Sequence, residues 1–599
     1  MAPLVTPAAH PVDIPSPQAA APSPCACHAF GIRTRFSLQK QRKIYENPAG
    51  AVRAVFEDIL GQCADTEFGR AHSLSRVRTA EDWRRAVPIQ RYEDVEPYVR
   101  RAREGRLGVL TRSHPYAYLK TSGSSGTPKY IPTTRHWRDR YRGPALYAQW
   151  GLYFEALAEA DARAGLGASA AHIPQILDLS WERVPGRSVP GDDRPAYSIS
   201  SRPAAVSSHD WLPPWYDEPW FLGDRAEDWD AALYRKLRLL AGGDVRAVVA
   251  LNPSKLISLA QTLAASGERL VADVRDGTLN GRLHPALSPD RETAGRLAAV
   301  LEAGDGGMTL TGLWPNLSLA VSWNSASAAL YRDWLEEVLP GVARLPFSTT
   351  GTEGIVTLPV DGHPSAGPLA VDQGLYEFVP AESAGGASLA PDTPTLAYDE
   401  LDSGREYRLV MSQANGLLRY DVGDVYRVVG HYGATPRLEF TGRAGFRASF
   451  TGEKLTEAQV HQAVVDSLPQ HLGGRPLFTC VPVWGAPPRY HVVVEGADAL
   501  DGPALDAFAR DVDTALRRIN IEYDEKRASR RLGRIEATAA EWGAFARTEE
   551  RLRAQGTSSN QVKHHWLQRD TRLLDTLRER DLLRASTEPA LLAGGGAVR

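Results

Sequence analysis

The sequence predicts an α/β protein built in two unequal parts, and three observations carry that reading. Helical and buried-strand patterns alternate through the middle of the chain, as expected for helices layered on a sheet. Short strands dominate from Glu406 onward. After Gly442-Arg443 the texture changes to a compact α+β unit of about the size of a small domain. The expected organisation is a Pro/Ala-rich disordered tail at 1–30, a large mixed-sheet domain at 31–441, a small mobile domain at 442–585 joined by a hinge, and a flexible tail at 586–599.

A chain of 599 residues has room for two or more domains and a large core. With 43% hydrophobic and 24% charged residues, its composition is that of an ordinary globular protein. A net charge of −3 gives no electrostatic case for nucleic acid or an anionic membrane as a partner. No apolar run is long enough to span a bilayer, and no basic-then-apolar leader opens the chain. Cys25, Cys27, Cys63 and Cys480 are too few for a disulfide framework, so the expected compartment is the cytoplasm. Cys25-Ala26-Cys27-His28 lacks a second cluster at zinc spacing. Nine lysines stand against 60 arginines, which makes each lysine in a motif worth weighing, since an ammonium and a guanidinium differ at a phosphate.

Taken in order, residues 32–103 are helical, with Ala54, Val55, Ile59, Leu60, Trp83 and Val87 at helical spacing. A helix is predicted over 141–162, with Leu146, Trp150, Tyr153 and Leu157 on one side. Residues 184–224 are dense in Pro, Ser, Asp and Trp and read as a long irregular excursion. A helix at 229–241, a buried strand at 245–251 and a helix opening after Asn252-Pro253-Ser254 give the α/β alternation. Strands are expected at 318–323, 374–379, 407–412, 425–429 and 437–441. The small unit is expected to hold helices at 453–470 and 503–519, two β segments within 476–495, a short strand at Glu536 and a last helix at 540–555.

Four polar stretches interrupt this pattern. Thr121-Ser122-Gly123-Ser124-Ser125-Gly126-Thr127-Pro128-Lys129 lies between two β runs, and its glycines let backbone N–H groups approach an anion. Its hydroxyls and ammonium suit a polyphosphate, though its spacing is not that of a Walker loop. A Ser/Gly hairpin ending in a surface lysine fits the same stretch read alone. Ser348-Thr349-Thr350-Gly351-Thr352-Glu353-Gly354 offers a carboxylate beside hydroxyls, a donor set that suits Mg2+ bridging phosphates; a solvated polar hairpin is the plainer alternative. Leu417-Leu418-Arg419-Tyr420-Asp421-Val422-Gly423-Asp424 ends on an aspartate that suits two ribose hydroxyls, or simply a turn. Gly556-Thr557-Ser558-Ser559-Asn560-Gln561-Val562-Lys563 places a lysine after a polar loop, either as a second phosphate-facing cation or as a solvated side chain.

Together and in this order, the four stretches resemble the adenylate-forming superfamily of acyl-CoA synthetases, luciferases and adenylation domains. More closely they resemble the Gretchen Hagen 3 family of auxin-responsive acyl-acid amido synthetases, as a bacterial member. Gly351-Thr352-Glu353-Gly354 matches the family's Ser-Ser-Glu-Gly, Leu417 to Asp424 its Leu-Tyr-Arg-Tyr-Arg-Val-Gly-Asp, and Asn560-Gln561-Val562-Lys563 its Asn-Gln-Tyr-Lys. Lys454 stands where the family has a hinge lysine. Asp421 departs from the family's Arg, Thr349-Thr350 replace Tyr-Ala or Tyr-Gly, and the 184–224 excursion has no family counterpart.

The resemblance implies ATP and Mg2+, with a small-molecule carboxylic acid and an amine or amino acid as the other substrates. It implies that Ser124, Ser125, Thr127 and Lys129 hold phosphates, Glu353 holds Mg2+, Thr352 lies near the α-phosphate and Asp424 holds the ribose. Lys454 and Lys563 would approach the phosphates from the small domain, with Lys129 and Lys563 as the catalytic cations. Trp323 and Ser325, between the strand at 318–323 and a helix starting near Ser327, are the expected acyl-pocket liners, although Trp323 fits plain core equally well. Two other readings stay open: an acyl- or aryl-CoA ligase, and a nucleotide-binding relic without turnover. No motif encodes the oligomeric state.

Overall fold

A computed structural model describes residues 24–121, 129–163, 175–180, 182–184, 188–189, 192–197, 201–203, 213–215, 223–224, 229–285, 287–304, 307–384, 388–444, 455–468, 471, 476–483, 487–497, 500–528, 532–548, 564–568, 573–579 and 582–583. The centre of the large part is a parallel sheet in the order Ala343–Pro346, Leu319–Ser322, Val245–Ala250, Gln175–Asp178. All six residues of the Val245–Ala250 strand are buried, because both sheet faces are covered. Alternate residues separate into two cores. Ile176, Ala247, Val249, Leu319 and Val321 pack toward the helix Gly143–Arg163. Leu177, Val248, Ala250 and Ala320 pack with residues of the helices Trp229–Leu239 and Ser254–Asp276.

The Gly143–Arg163 helix is held in turn by the first described helix, Pro24–Glu46. The two approach so closely that a Cβ on Gly151 would lie 2.4 Å from the Thr34 carbonyl oxygen. Phe30 is buried with ring centroids 5.8 Å from Tyr147, 6.2 Å from Trp150 and 6.1 Å from Trp215. The expected tail over 1–30 is therefore too long: helix begins at Pro24, because burial of one aromatic ring outweighs a Pro/Ala-rich surrounding.

The hairpin Pro115–Thr121 and Lys129–Thr134 pairs in antiparallel register, with Thr121 opposite Lys129. Asp192–Tyr197 joins it in parallel, Tyr118 lying opposite Ala196. Arg194 fastens this strand by donating to the carbonyls of Pro115, Ala102 and Arg103. The 184–224 stretch is thus not wholly irregular. Within it lie the short strands Ser188–Val189, Asp192–Tyr197, Ser201–Pro203 and Gly223–Asp224, recruited by backbone partners that its sequence pattern does not advertise.

A five-stranded antiparallel sheet runs Gly367–Pro368, Thr435–Arg443, Tyr420–Tyr432, Glu406–Ser412, Leu375–Pro380. Asp424, one residue before the strand expected at 425–429, lies inside the longer Tyr420–Tyr432 strand. In the C-terminal part, Phe478–Val483, Arg489–Glu495 and Glu536–Ala540 form a three-stranded sheet. The helices Glu457–Ser467 and Gly502–Ile519 share its core through Val460, Val464, Phe508, Val512 and Leu516. Of the helix expected at 540–555, Ala540 ends a strand instead, helix is described from 544 to 548, and 549–555 lie outside the described residues. The C-terminal part packs against the large one where the Trp566 ring meets Tyr331 at 5.7 Å. No described helix is long and apolar enough to cross a membrane.

Candidate active site

In an open parallel sheet the loops leaving the carboxyl ends of the strands form the natural crevice for a ligand. Here that edge gathers Ser180, Leu251-Asn252, Trp323 to Ser325 and Phe347 to Gly354. Ser180 Oγ accepts the Leu251 N–H at 2.8 Å, Trp323 N–H donates to the Leu251 carbonyl at 3.2 Å, and Phe347 N–H donates to the Ser322 carbonyl at 2.8 Å. The Glu353 turn therefore grows directly out of the sheet edge.

That turn is tightly closed. Gly351 N–H donates to the Gly354 carbonyl at 2.9 Å, and the Thr352 hydroxyl donates to Glu353 Oε2 at 2.9 Å. A Cβ on Gly351 would lie 2.7 Å from Glu353 Oε2, so glycine is needed for the carboxylate to fold back. Thr352 and Glu353 are both largely buried. Upstream, Ser348 Oγ donates to Gln149 Oε1 at 2.8 Å, and Gln149 Nε2 donates to the Tyr153 hydroxyl at 2.6 Å. The turn is thus bonded to the helix beneath the sheet.

Gln413 fastens the turn to the other two motifs. Its side chain lies against Gly354 and Gly374, where a Cβ would come within 2.8 Å and 2.2 Å of its Nε2. Its Oε1 accepts the buried Trp137 indole N–H at 3.0 Å. Trp137 follows the Lys129–Thr134 strand directly, its backbone N–H capped by Thr134 Oγ1 at 3.1 Å. The Gln413 backbone N–H donates to the Leu417 carbonyl at 2.7 Å, closing the turn that begins the Leu417-to-Asp424 stretch.

Lys129 opens the second hairpin strand, half-buried, with Nζ 5.6 Å from the Tyr92 ring centroid. The Tyr92 hydroxyl accepts the Tyr130 N–H at 2.7 Å, and burial pushes its phenol up to about 12. Tyr420 is buried in the same apolar cluster as Tyr92. Its phenol is raised first by burial and then by the charges of Glu353 and Glu93, which puts it within electrostatic reach of both the Glu353 turn and the Tyr92 helix. Lys129 thus neighbours Tyr92, which shares its apolar cluster with Tyr420, and Asp424 lies four residues further along the Tyr420 strand, half-buried and opposite Arg443.

Asp421, the departure from the expected motif, is a buried partner of Arg408, and Arg419 is paired with Glu377. Trp323 is half-buried with its ring 5.2 Å from Phe440, and Ser325 is buried beside Ala326, whose φ is +50°. The helix expected near Ser327 is present: a tight helical turn, Ala326–Tyr331, runs directly into the α-helix Arg332–Val338. Ser124, Ser125, Thr127, Lys454 and Lys563 lie outside the described residues, as do the side chains of Cys25 and Cys27. Sequence reasoning missed Gln413, Gln149 and the Tyr92–Tyr420 pair. The two glycines facing Gln413 were the one legible trace.

Among the described residues no group of three or more His, Cys, Asp and Glu is placed to hold a metal. Glu353 Oε1 accepts no hydrogen bond among them. One hard oxygen fits Mg2+ only if the remaining donors are waters and nucleotide phosphates, which is the usual manner for that ion.

The family model of the GH3 N-terminal domain matches residues 37–344, the central-domain model 367–443 and the C-terminal-domain model 458–572. The chain belongs to the GH3 family. The Gretchen Hagen 3 resemblance carried by the four motifs is borne out. Among curated GH3 proteins, the indole-3-acetic acid-amido synthetase GH3.8 of Oryza sativa subsp. indica is 26% identical over 578 residues, covering 89% of this chain and 91% of its own. The corresponding GH3.2 enzyme of Arabidopsis thaliana is 26% identical over 463 residues, 72% of this chain and 80% of its own. The solved GH3.15 acyl acid amido synthetase matches 92% of this chain and 97% of its own with a TM-score of 0.73 at 19% identity. A large α/β part followed by a smaller α+β part is thus the GH3 fold.

Proposed function

We propose that this chain is an ATP-dependent acyl acid amido synthetase, which adenylates a carboxylic acid and transfers the acyl group to an amine, an amino acid in the simplest case. The observation that carries the reading is the fastening of the Glu353 turn, through Gln413, to the elements bearing Lys129 and Asp424, in a chain of GH3 domain order. In the first half-reaction a carboxylate oxygen of the acid bonds to the α-phosphorus of ATP. The bond from that phosphorus to the pyrophosphate oxygen breaks, leaving an acyl-adenylate. Negative charge grows on oxygens at and beyond the α-phosphorus, so prearranged cations and N–H donors are the main lever.

Lys129 supplies one cation at the hairpin mouth, with Ser124, Ser125 and Thr127 as phosphate donors. Thr352 lies beside the α-phosphate, and its hydroxyl holds Glu353 in place. Glu353, with the nucleotide, would hold Mg2+, which would supply charge neutralisation at the phosphates. Asp424 accepts the ribose hydroxyls. Lys454 and Lys563 belong to the C-terminal part and act when it docks, by rotation about 441–455. Trp323 and Ser325 border the acid. In the second half-reaction the amine nitrogen bonds to the acyl carbon, the acyl–phosphate oxygen bond breaks, AMP leaves and the nitrogen loses a proton.

The test is pyrophosphate release over a panel of carboxylic acids, with and without amino acids or coenzyme A, followed by product mass. An amide product is expected. An acyl-CoA product overturns the amide reading, and silence with every acid overturns catalysis altogether.

A further inference from the structure

A buried ion pair ties the strand that carries Asp424 to its neighbour. Arg408 is 1% exposed; its Nε donates to Asp421 Oδ1 at 2.9 Å and its Nη2 to Oδ2 at 2.6 Å. A forked pair of this kind fixes direction as well as distance. As a source of stability alone it is a poor choice, because a buried pair often does no better than apolar side chains of the same volume.

The register around the pair is uneven. Arg408 lies opposite Val425, whereas Val410 lies opposite Asp421, so a two-residue step on one strand faces a four-residue step on the other. Val422, Gly423 and Asp424 take up the excess, and such bulges re-aim the side chains they carry. Asp421 Oδ1, the oxygen that receives Arg408 Nε, also accepts the Gly423 N–H at 3.0 Å. Gly423 has φ +81°, a conformation that suits glycine. Its carbonyl accepts the Ala444 N–H at 2.7 Å, just past the end of the neighbouring strand. Asp424 is the next residue, set opposite Arg443. Arg408 is thus connected to the placement of Asp424 through one carboxylate and one glycine.

We propose that Arg408 and Asp421 are a positioning pair that closes this bulge and thereby aims the Asp424 carboxylate at the ribose hydroxyls of ATP. The proposal rests on the reading of Asp424 given above. It also accounts for an aspartate at 421 where the family motif has arginine: the guanidinium is supplied from the neighbouring strand, and the carboxylate is free to cap Gly423.

The test reads ribose recognition and not stability. With the full-length protein, affinities for ATP and for 2′,3′-dideoxy-ATP are measured by titration calorimetry for the wild type, Asp424→Asn, Asp421→Asn, Gly423→Ala and the Asp421→Asn/Asp424→Asn double variant. The wild type should prefer ATP by about tenfold or more, the worth of hydrogen bonds to a carboxylate. Asp424→Asn should abolish the preference, and Asp421→Asn should shrink it to within about threefold. The double variant should match Asp424→Asn alone, since the two residues act on one interaction. Gly423→Ala guards against misfolding, because a Cβ there meets no atom within 4 Å and strains only the bulge; it should shrink the preference as Asp421→Asn does. If Asp421→Asn and Gly423→Ala keep the wild-type preference, the pair is structural and the proposal is overturned. If the wild type has no preference, or Asp424→Asn leaves it intact, the reading of Asp424 itself is wrong and the role of the pair goes with it.

Discussion

Adding a single methyl group at Gly354 tests whether Gln413 holds the site together. In Gly354→Ala the new Cβ would stand 2.8 Å from the Gln413 amide, closer than side-chain carbons come to such atoms, so the amide or the turn must move. Gln413 is not free to swing away, since Oε1 holds the buried Trp137 indole N–H at 3.0 Å and Gly374 closes its other side. If the amide moves, a buried donor loses its partner, at a cost of about 1–3 kcal/mol. If the turn moves, Glu353 shifts with it, and a misplacement on the order of 1 Å at a reacting centre costs about 100-fold in rate. The assay pairs acid-dependent pyrophosphate release with a denaturant midpoint. We expect Gly354→Ala to lose both activity and stability, and Gln413→Ala alone to lose stability through the orphaned indole. Gln413→Ala also makes room for the methyl group, so the double variant should be better than the sum of the two by about 1 kcal/mol or more. Strictly additive losses, or a Gly354→Ala protein with wild-type behaviour, would refute the argument.

Lys563→Ala should cut adenylation strongly while ATP affinity stays within about tenfold, because the lysine is asked to act in the transition state; an equal loss of ATP binding would reject that role. Gly151→Ala should lower the unfolding free energy, read from the denaturant midpoint, by about 1–3 kcal/mol, since the added Cβ clashes with the Thr34 carbonyl between two packed helices. His564 donates through its ring to the Phe478 carbonyl, and burial lowers it from 6.5 to about 4. A depressed histidine binds its proton more readily unfolded, so stability is full above about 6.5 and is lost as pH falls toward 4. The fluorescence-monitored midpoint of the C-terminal part should follow that window, and His564→Gln, which keeps a donor, should flatten it.

The motifs were legible because their chemistry is local. A Ser/Gly loop before a lysine, a carboxylate in a Gly-bounded turn and an aspartate after a turn glycine each show in a few consecutive residues. So was the parallel sheet, since a strand buried on both faces must read as an unbroken apolar run, as Val245 to Ala250 does. The tail was misread for the converse reason. Phe30 is one ring in a Pro/Ala-rich text, and nothing nearby announces that Tyr147, Trp150 and Trp215 will surround it.

The sequence by itself determined the family, the order of the parts and the residue types of the four motifs, because each is written in contiguous text whose local geometry follows from glycines, hydroxyls and apolar period. Only the tertiary structure decided what holds those residues in place. Gln413 lies 276 residues from its partner Trp137, and Arg408 meets Asp421 across a strand pair with an uneven register. Neither contact has a spacing to read. Each exists because packing brought distant polar groups into a dry interior, where a donor or a charge without a partner is too costly to keep.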